Sequence, residues 1–264
     1  MDPIVKVEVF DDGVAICGDG TSKEVADYIE KTCGPLPLIV TDPPYGNIVN
    51  AAWDKTKSSQ REFATWMVDW SRVLQPLVAP GGAFYLWGGY GTPRFRPFFE
   101  YASRIEAETP WQIANLITWA KKRGYGVQNN YLSTREELLY MVNGDPKKPR
   151  TFHVPYLEEK RGYAGYNAKY PAKSEYFRRT SVWSDITEVL SGKVHQTQKP
   201  VRVMQIPMEI HTVQDEWVFD PFAGSMTTAW AARGLGNRRW VCVERDEQIF
   251  DEAVRELRSG TRKR

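Results

Sequence analysis

The sequence predicts an α/β protein built on a mostly parallel sheet. Two observations carry this. Short apolar runs at Leu36–Val40, Ala83–Trp87, Glu216–Phe219 and Arg239–Val243 alternate with longer segments whose apolar residues recur at helical spacing. Two of the runs stop abruptly, at Thr41-Asp42-Pro43-Pro44-Tyr45-Gly46 and at Asp220-Pro221-Phe222-Ala223-Gly224-Ser225. Proline has no N–H for a ladder bond, so both motifs belong at carboxyl ends of strands, where α/β folds place their ligands. A length of 264 residues suits one domain, or one domain with a small insert.

Taken in order, Ile4–Phe10 reads as a strand, Asp11-Asp12-Gly13 as a turn, and Val14–Cys17 as a second strand ending in Gly18-Asp19. A helix over Ser22–Lys31 has Thr21 or Ser22 as N-cap and is ended by Gly34-Pro35. After Leu36–Val40, residues 47–60 are polar and irregular, with Trp53 isolated among them. Glu62–Leu77 has helical spacing, and Pro80-Gly81-Gly82 turns the chain into the next strand. Phe95–Ile105 reads as helix; Asn115–Trp119 and Glu137–Val142 read as an antiparallel edge pair. From Asn143 to about Lys193 the pattern fails, which marks a long loop or insert. Pro200–Ile210 reads as helix, Thr227–Arg233 as a helix closed by Gly234, and Asp246–Leu257 as an amphipathic helix.

Hydrophobic residues at 42% and charged residues at 26% match ordinary globular usage and exclude a disordered or collagenous chain. No apolar run approaches the ~18 residues needed to span a bilayer. The amino terminus, with early acids and no apolar core, does not read as a secretory signal. Cys17, Cys33 and Cys242 are too scattered for a disulfide framework or metal cluster, so no metal is expected and a reducing cytoplasm is the expected location. The net charge of +2 conceals an uneven distribution: residues 121–180 hold 13 Lys/Arg against 6 Asp/Glu, together with eight of the 13 tyrosines. A basic, aromatic block within an acidic remainder suits a polyanion partner, although charged runs are also ordinary solvated faces.

In Asp42-Pro43-Pro44-Tyr45 the prolines stiffen the backbone, so the Asp42 carboxylate and the Pro43 carbonyl are two fixed acceptors, suited to an amino group with two hydrogens. Tyr45 adds a flat face for a base. The bland alternative is a rigid Asx-Pro turn. Gly224 allows close approach to a helix amino end, and Glu244, about twenty residues on, ends the next strand, where it can accept from ribose hydroxyls. A plain turn followed by a surface acid is the competing reading. Asp19 is either an acceptor for an adenine amino group or simply a turn residue.

Three pieces in this order, Asp42-Pro43-Pro44-Tyr45-Gly46, His195-Gln196-Thr197-Gln198-Lys199-Pro200 and Asp220-Pro221-Phe222-Ala223-Gly224-Ser225, resemble the S-adenosylmethionine-dependent amino-methyltransferases that act on adenine or cytosine in DNA, in the permuted beta group with the catalytic motif first. The resemblance implies a Rossmann-like methyltransferase fold with an antiparallel edge and a small basic target-recognition insert. Residues 1–142 would form the catalytic half, 143–193 the insert and 194–264 the cofactor-binding half. It implies catalytic roles for Asp42, Pro43, Pro44 and Tyr45. It implies cofactor contacts from Asp19, Asp42, Thr197, Lys199, Asp220, Phe222, Ala223, Gly224, Ser225, Met226, Thr227 and Glu244. Lys199 would meet the cofactor carboxylate. Met226 stands where the family usually has glycine, and a side chain there would crowd the cofactor or the helix. The block offers Lys121, Lys122, Arg123, Tyr125, Tyr163, Tyr166, Arg178 and Arg179 for nucleic-acid contact. Asp42, where cytosine enzymes more often carry serine, implies adenine. The expected partner is double-stranded DNA, with a homodimer and a partner restriction endonuclease left open. Cytosine or RNA as substrate, or a non-catalytic nucleic-acid-binding homologue, are the alternatives.

Overall fold

The computed structural model describes residues 3–45, 59–92, 94–126, 128–160, 174–188 and 198–262. Gly46, Trp53, Tyr163, Tyr166, His195 and Thr197, singled out above, lie outside this set. In chain order the elements are β1 (Ile4–Phe10), β2 (Gly13–Gly18), α1 (Lys23–Cys33), β3 (Leu36–Thr41), α2 (Gln60–Leu74), β4 (Val78–Gly88), α3 (Pro97–Glu108), β5 (Trp111–Tyr125), β6 (Ser133–Asn143), β7 (Tyr156–Lys160), β8 (Tyr176–Arg178), β9 (Val182–Trp183), α4 (Val201–His211), β10 (Trp217–Asp220), α5 (Thr227–Leu235), β11 (Arg239–Glu244) and α6 (Glu247–Ser259).

Among the described residues, nine strands form one sheet in the order β1-β2-β11-β10-β3-β4-β6-β5-β9. From β2 to β4 the pairing is parallel; β1 and β6 run antiparallel to their neighbours, so the sheet is mostly parallel with the antiparallel edge the sequence predicts. The strands read as unbroken apolar runs because both faces are covered. Val14 and Ile16 pack with residues of α1, α2 and α3, whereas Ala15 and Cys17 pack with residues of α4, α5 and α6. Each fully buried aliphatic side chain contributes about 1.5–3 kcal/mol.

Local chemistry fixes the ends. Ser22 caps α1, its hydroxyl accepting from the Val25 N–H at 3.2 Å. Ser59 and Glu62 form a reciprocal capping box on α2. α5 closes at Gly236, in the left-handed region at φ 76°, rather than at Gly234. The turn expected at Pro80-Gly81-Gly82 is instead part of β4. The register passes from Leu36↔Val78 to Leu38↔Ala83, so a bulge takes up the extra residues. Gly81 (φ 76°) is required there: a Cβ would lie 2.8 Å from the Arg150 nitrogen, whose N–H donates to the Gly81 carbonyl at 2.7 Å.

The described part of 143–193 is fastened to the sheet rather than set apart from it. The His153 N–H donates to the Ile210 carbonyl at 2.8 Å, and Val182–Trp183 pairs with Thr118 and Trp119 as the ninth strand. β7 and β8 form a separate two-stranded sheet.

β3 leads through α2 to β4 on one side, and β10 leads through α5 to β11 on the other. β3 and β10 are adjacent, so the chain departs in opposite directions from their carboxyl ends and leaves a crevice between them.

Candidate active site

Asp42 to Tyr45 follow β3 directly, and Lys199 precedes α4. The fold brings them together with Glu136 of β6. Lys199 Nζ lies 2.5 Å from Asp42 Oδ2, 2.9 Å from Glu136 Oε2 and 3.2 Å from the Tyr45 hydroxyl. The Tyr45 hydroxyl donates to Asp42 Oδ1 at 2.8 Å. Lys121 Nζ of β5 closes the network, donating to Glu136 Oε1 at 2.8 Å. The Lys199 ammonium also lies 5.5 Å from the Tyr45 ring centroid and 5.3 Å from that of Trp87. Three cationic or phenolic donors thus serve two carboxylates in a largely dry space.

The electrostatics follow. Burial pushes the Asp42 carboxyl above its ordinary value, with the Lys199 ammonium opposing it. Burial acts upward on Glu136 too, but Lys199 and Lys121 outweigh it and hold that carboxyl at about 2. Lys199 is held above its ordinary value: burial acts downward, and the Asp42 and Glu136 carboxylates prevail. Burial places the Tyr45 hydroxyl well above 10, so it stays a donor.

Beside this network lies a cavity of about 750 Å³, within the range of small-molecule and cofactor sites. Of the expected cofactor residues, Asp19, Asp42, Lys199, Asp220, Phe222, Ala223, Gly224, Ser225, Thr227 and Glu244 line it, as does Pro44. Pro43 and Tyr45 line a small adjacent cleft with Trp87 and Phe98. The Asp220–Thr227 turn is pinned open to the cavity. Gly224 has φ 51°, its N–H donates to Glu244 Oε2 at 2.8 Å, and the Ala223 N–H donates to the Val243 carbonyl at 2.8 Å. Glu244 Oε1 accepts from the Asp246 N–H at 2.7 Å; burial nonetheless raises its carboxyl. A carboxylate has about four acceptor sites, so Glu244 keeps capacity toward the cavity.

Three of the expected residues have structural roles in the fold. Asp220 is a strut: it accepts from Thr41 Oγ1 at 2.6 Å, Thr228 Oγ1 at 2.5 Å and the Phe222 N–H at 3.1 Å, tying β3, β10 and α5 together. Burial raises its carboxyl to about 6 against these hydrogen bonds. Asp19 Oδ1 accepts from the Thr21 hydroxyl at 2.7 Å and its N–H at 3.0 Å, so it shapes its own turn as well as facing the cavity. Met226 does not line the cavity. It is fully buried among residues of the α4–α6 face and adopts φ 54°, the conformation that a glycine would take without strain. The crowding expected of its side chain therefore falls on the core, not on the cavity.

The basic set divides. Lys121 is inside the site, paired with Glu136, and Arg179 is bonded through both Nη atoms to Asp185 at 2.8 and 2.7 Å with its side chain only 6% exposed. Neither is presented to a partner. Lys122, Arg123 and Arg178 are exposed, and Tyr125 ends β5. Burial raises the thiols of Cys17 to about 11 and Cys33 to about 12, and that of Cys242 well above 9, which suits inert residues, two in the core and Cys33 half-buried at the end of α1.

The sequence reading did not single out Glu136, nor the cavity residues Trp66 and Met204. A signal for Glu136 existed: it is an acid at the head of the apolar run Leu138–Val142, and an acid there sits at the sheet edge that carries both motifs.

A doubly covered parallel sheet, a crevice where the strand order reverses, a glycine turn at a helix amino end and an acid closing the following strand together define an α/β protein of the nucleotide-binding class. Within that class, residues 36–255 match the DNA methylase family of N6 and N4 methyltransferases, and the chain belongs to it. It is similar to the type II methyltransferase M.BamHI of Bacillus amyloliquefaciens, at 28% identity over 225 residues, covering 79% of this chain but only 50% of that protein. It is also similar to the type II methyltransferase M2.LlaDCHI of Lactococcus lactis subsp. cremoris, at 25% identity over 240 residues, covering 85% of this chain and 83% of that protein. Its fold is shared with M1.HpyAVI, solved in complex with SAM (TM-score 0.59, 22% identity, 92% of this chain and 98% of that one). The fold of the PvuII DNA methyltransferase, described as cytosine-N4-specific, superposes with a TM-score of 0.69 at 15% identity, covering 93% of this chain and 86% of that one.

Proposed function

We propose that the chain transfers a methyl group from S-adenosylmethionine to the exocyclic amino group of adenine in double-stranded DNA. The observation that carries this reading is the juxtaposition of Asp42 with the cavity. Asp42 lines the wall, follows β3 directly and is held by Lys199 at 2.5 Å and by the Tyr45 hydroxyl at 2.8 Å. Each of its oxygens accepts one hydrogen bond from these partners and has a further lone pair for a target amino hydrogen. Aspartate, rather than serine, at this position favours adenine.

The cavity fits the cofactor. It has space for a nucleoside-sized molecule, an aromatic wall in Phe222, an acid at the end of β11 in Glu244 and the amino end of α5 at Thr227. When bound, S-adenosylmethionine supplies an electrophilic methyl group on a sulfonium centre.

The chain's own residues supply acceptors and position. The amino nitrogen of a base is a weak nucleophile because its lone pair is delocalised into the ring. Hydrogen bonds from the two amino hydrogens to Asp42 and to the Pro43 carbonyl localise that pair. Lys199 opposes protonation of Asp42, keeping it an acceptor. The catalysis is one of positioning and electrostatics, with no covalent intermediate. A base inside a duplex cannot reach a crevice at the strand ends, so it must leave the stack.

Asp42→Ala tests the reading. It is expected to abolish transfer of labelled methyl to DNA while leaving binding of S-adenosylmethionine, measured by calorimetry, within about threefold. Strong residual transfer would refute the role of Asp42. Mapping of the methylated bases would replace adenine with cytosine if N4-methylcytosine were the product.

A further inference from the structure

Tyr131 and Leu132 are large apolar side chains with an unusual placement. Tyr131 is 94% exposed and Leu132 63% exposed, and both sit where β5 turns into β6. The sheet does not support this turn. β4 stops pairing with β6 at Gly88↔Glu137, and β9 stops pairing with β5 at Trp119↔Trp183. Beyond those rungs, among the described residues, β5 and β6 pair only with each other, at Ala120↔Arg135 and Tyr125↔Ser133. The overhang is three residues of β6, Ser133 to Arg135, or ~10 Å at about 3.4 Å per residue, before the turn is added.

The root of this ribbon is the active site. Glu136 bonds Lys199 and Lys121 there, and one residue further out the ribbon has left the sheet. The tip is shaped, not merely exposed. A Cβ at Gly124 would lie 2.7 Å from Leu132 Cβ, and one at Gly126 would lie 2.9 Å from Leu132 Cδ2, so two glycines let Leu132 lie against the facing strand. The Tyr131 N–H donates to Asn130 Oδ1 at 2.8 Å. Exposed Lys122 and Arg123 flank the stem on β5.

We infer that the β5–β6 ribbon is a wedge that enters the DNA major groove and places Tyr131 and Leu132 in the base stack beside the extruded target. The inference rests on the function proposed above. A two-stranded ribbon fits the major groove, which is ~12 Å wide and ~8.5 Å deep, and the ~10 Å overhang with its turn exceeds that depth. Apolar side chains inserted at a base step partly unstack it, and a base that must leave the helix leaves more easily from a weakened step. The stem cations give charge complementarity to the phosphates on either side.

The test compares the chain with Tyr131→Ala, Leu132→Ala and the double variant. The substrates are a duplex carrying the mapped target base and the same duplex with a mismatch opposite that base. Because both side chains are mostly in solvent, thermal unfolding should stay within a few degrees of the unsubstituted chain. On the paired duplex kcat/KM should fall roughly tenfold to a hundredfold in the double variant; on the mismatched duplex, where the base is already loosened, the loss should shrink to about threefold or less. Fluorescence of 2-aminopurine at the target position should rise on binding the unsubstituted chain and not on binding the double variant. An unchanged rate on the paired duplex, or an equal loss on both substrates, would overturn the wedge. So would a shift from dimer to monomer in sedimentation with DNA rates unchanged, which would make the tip a contact between copies. If the unsubstituted chain methylates no DNA, the proposed function fails and the wedge fails with it; if it methylates DNA and the variants match it, the wedge alone is wrong.

Discussion

Lys199→Met isolates the electrostatic core of the site. Methionine keeps much of the length and flexibility of the lysine stem, so the change removes a charge more than a volume. Lys199 Nζ stands between Asp42 at 2.5 Å and Glu136 at 2.9 Å, with the lysine side chain 6% exposed. Glu136 retains Lys121 at 2.8 Å, whereas Asp42 loses its only charged partner among the described residues and keeps the Tyr45 hydroxyl. Removing one partner of a buried ion pair costs about 3–5 kcal/mol. The stranded charge can be relieved by protonation. Burial already raises the Asp42 carboxyl against Lys199, and without the lysine it rises further. A carboxyl whose folded pKa exceeds its unfolded value binds its proton more tightly in the folded state. Its contribution is complete below the unfolded pKa and is lost as pH rises through the folded one. The gap in stability between the native chain and Lys199→Met should therefore be widest near pH 8 and narrow as pH falls toward 5, read by urea unfolding at each pH. A gap below about 1 kcal/mol throughout, or one that widens on acidification, would refute the assignment of Asp42 as the group that Lys199 compensates.

The neighbouring carboxylate should behave oppositely. Glu136 is held at about 2 rather than 4.5, which corresponds to roughly 3 kcal/mol as an upper bound for a partly solvated group. Its folded pKa is depressed, so that stability is present above 4.5 and lost as pH falls toward 2. In urea unfolding, Glu136→Gln should show a deficit that stays level from pH 8 to 5 and closes only below 4.5. Met226→Gly sets two effects against each other. Relief of the left-handed conformation at φ 54° returns about 1–2 kcal/mol, while loss of a fully buried methionine costs about 2–5 kcal/mol. The variant should be destabilised on thermal unfolding, with its affinity for S-adenosylmethionine unchanged in calorimetry. Among the basic residues, Arg123→Ala should lower the slope of log affinity against log salt for DNA by about 1, as expected for one lost phosphate contact. Arg179→Ala, which breaks the pair with Asp185, should lower thermal stability and leave that slope unchanged.

What was legible in the sequence follows the burial of each segment. The parallel strands were readable because both of their faces are covered, so their apolar runs are continuous, and the prolines of Asp42-Pro43-Pro44 and Asp220-Pro221 mark where the runs end. Pro80-Gly81-Gly82 misled because a bulge and a turn use the same residues. Only the approach of Arg150 to Gly81, long-range and invisible to local pattern, distinguishes them. In the same way, composition cannot separate Lys121 and Arg179, which spend their charge on Glu136 and Asp185, from Lys122, Arg123 and Arg178, which are exposed.

The β5–β6 pair shows most plainly where such reading stops, and why. The sequence indicated Asn115–Trp119 and Glu137–Val142, and those are the portions with neighbours: β6 pairs with β4 from Val142 to Glu137, and β5 pairs with β9 at Thr118 and Trp119. The strands continue to Tyr125 and back to Ser133 as a ribbon with neither neighbour, and a ribbon without a core needs no apolar alternation. Pattern recognition detects burial, so it ends where burial ends. At that point Glu136 turns inward to the charge network while Tyr131 and Leu132, in the turn just before β6, are carried outward, so one short segment joins the group that holds Lys199 to the proposed wedge. If the wedge and Asp42 act on the same base, the distance from the tip to Glu136, which holds Lys199 beside Asp42, is a geometric constraint. Lengthening the ribbon by two residues, which keeps every side chain on its own face, should preserve folding and cofactor binding and lower methylation of the paired duplex more than that of the mismatched one.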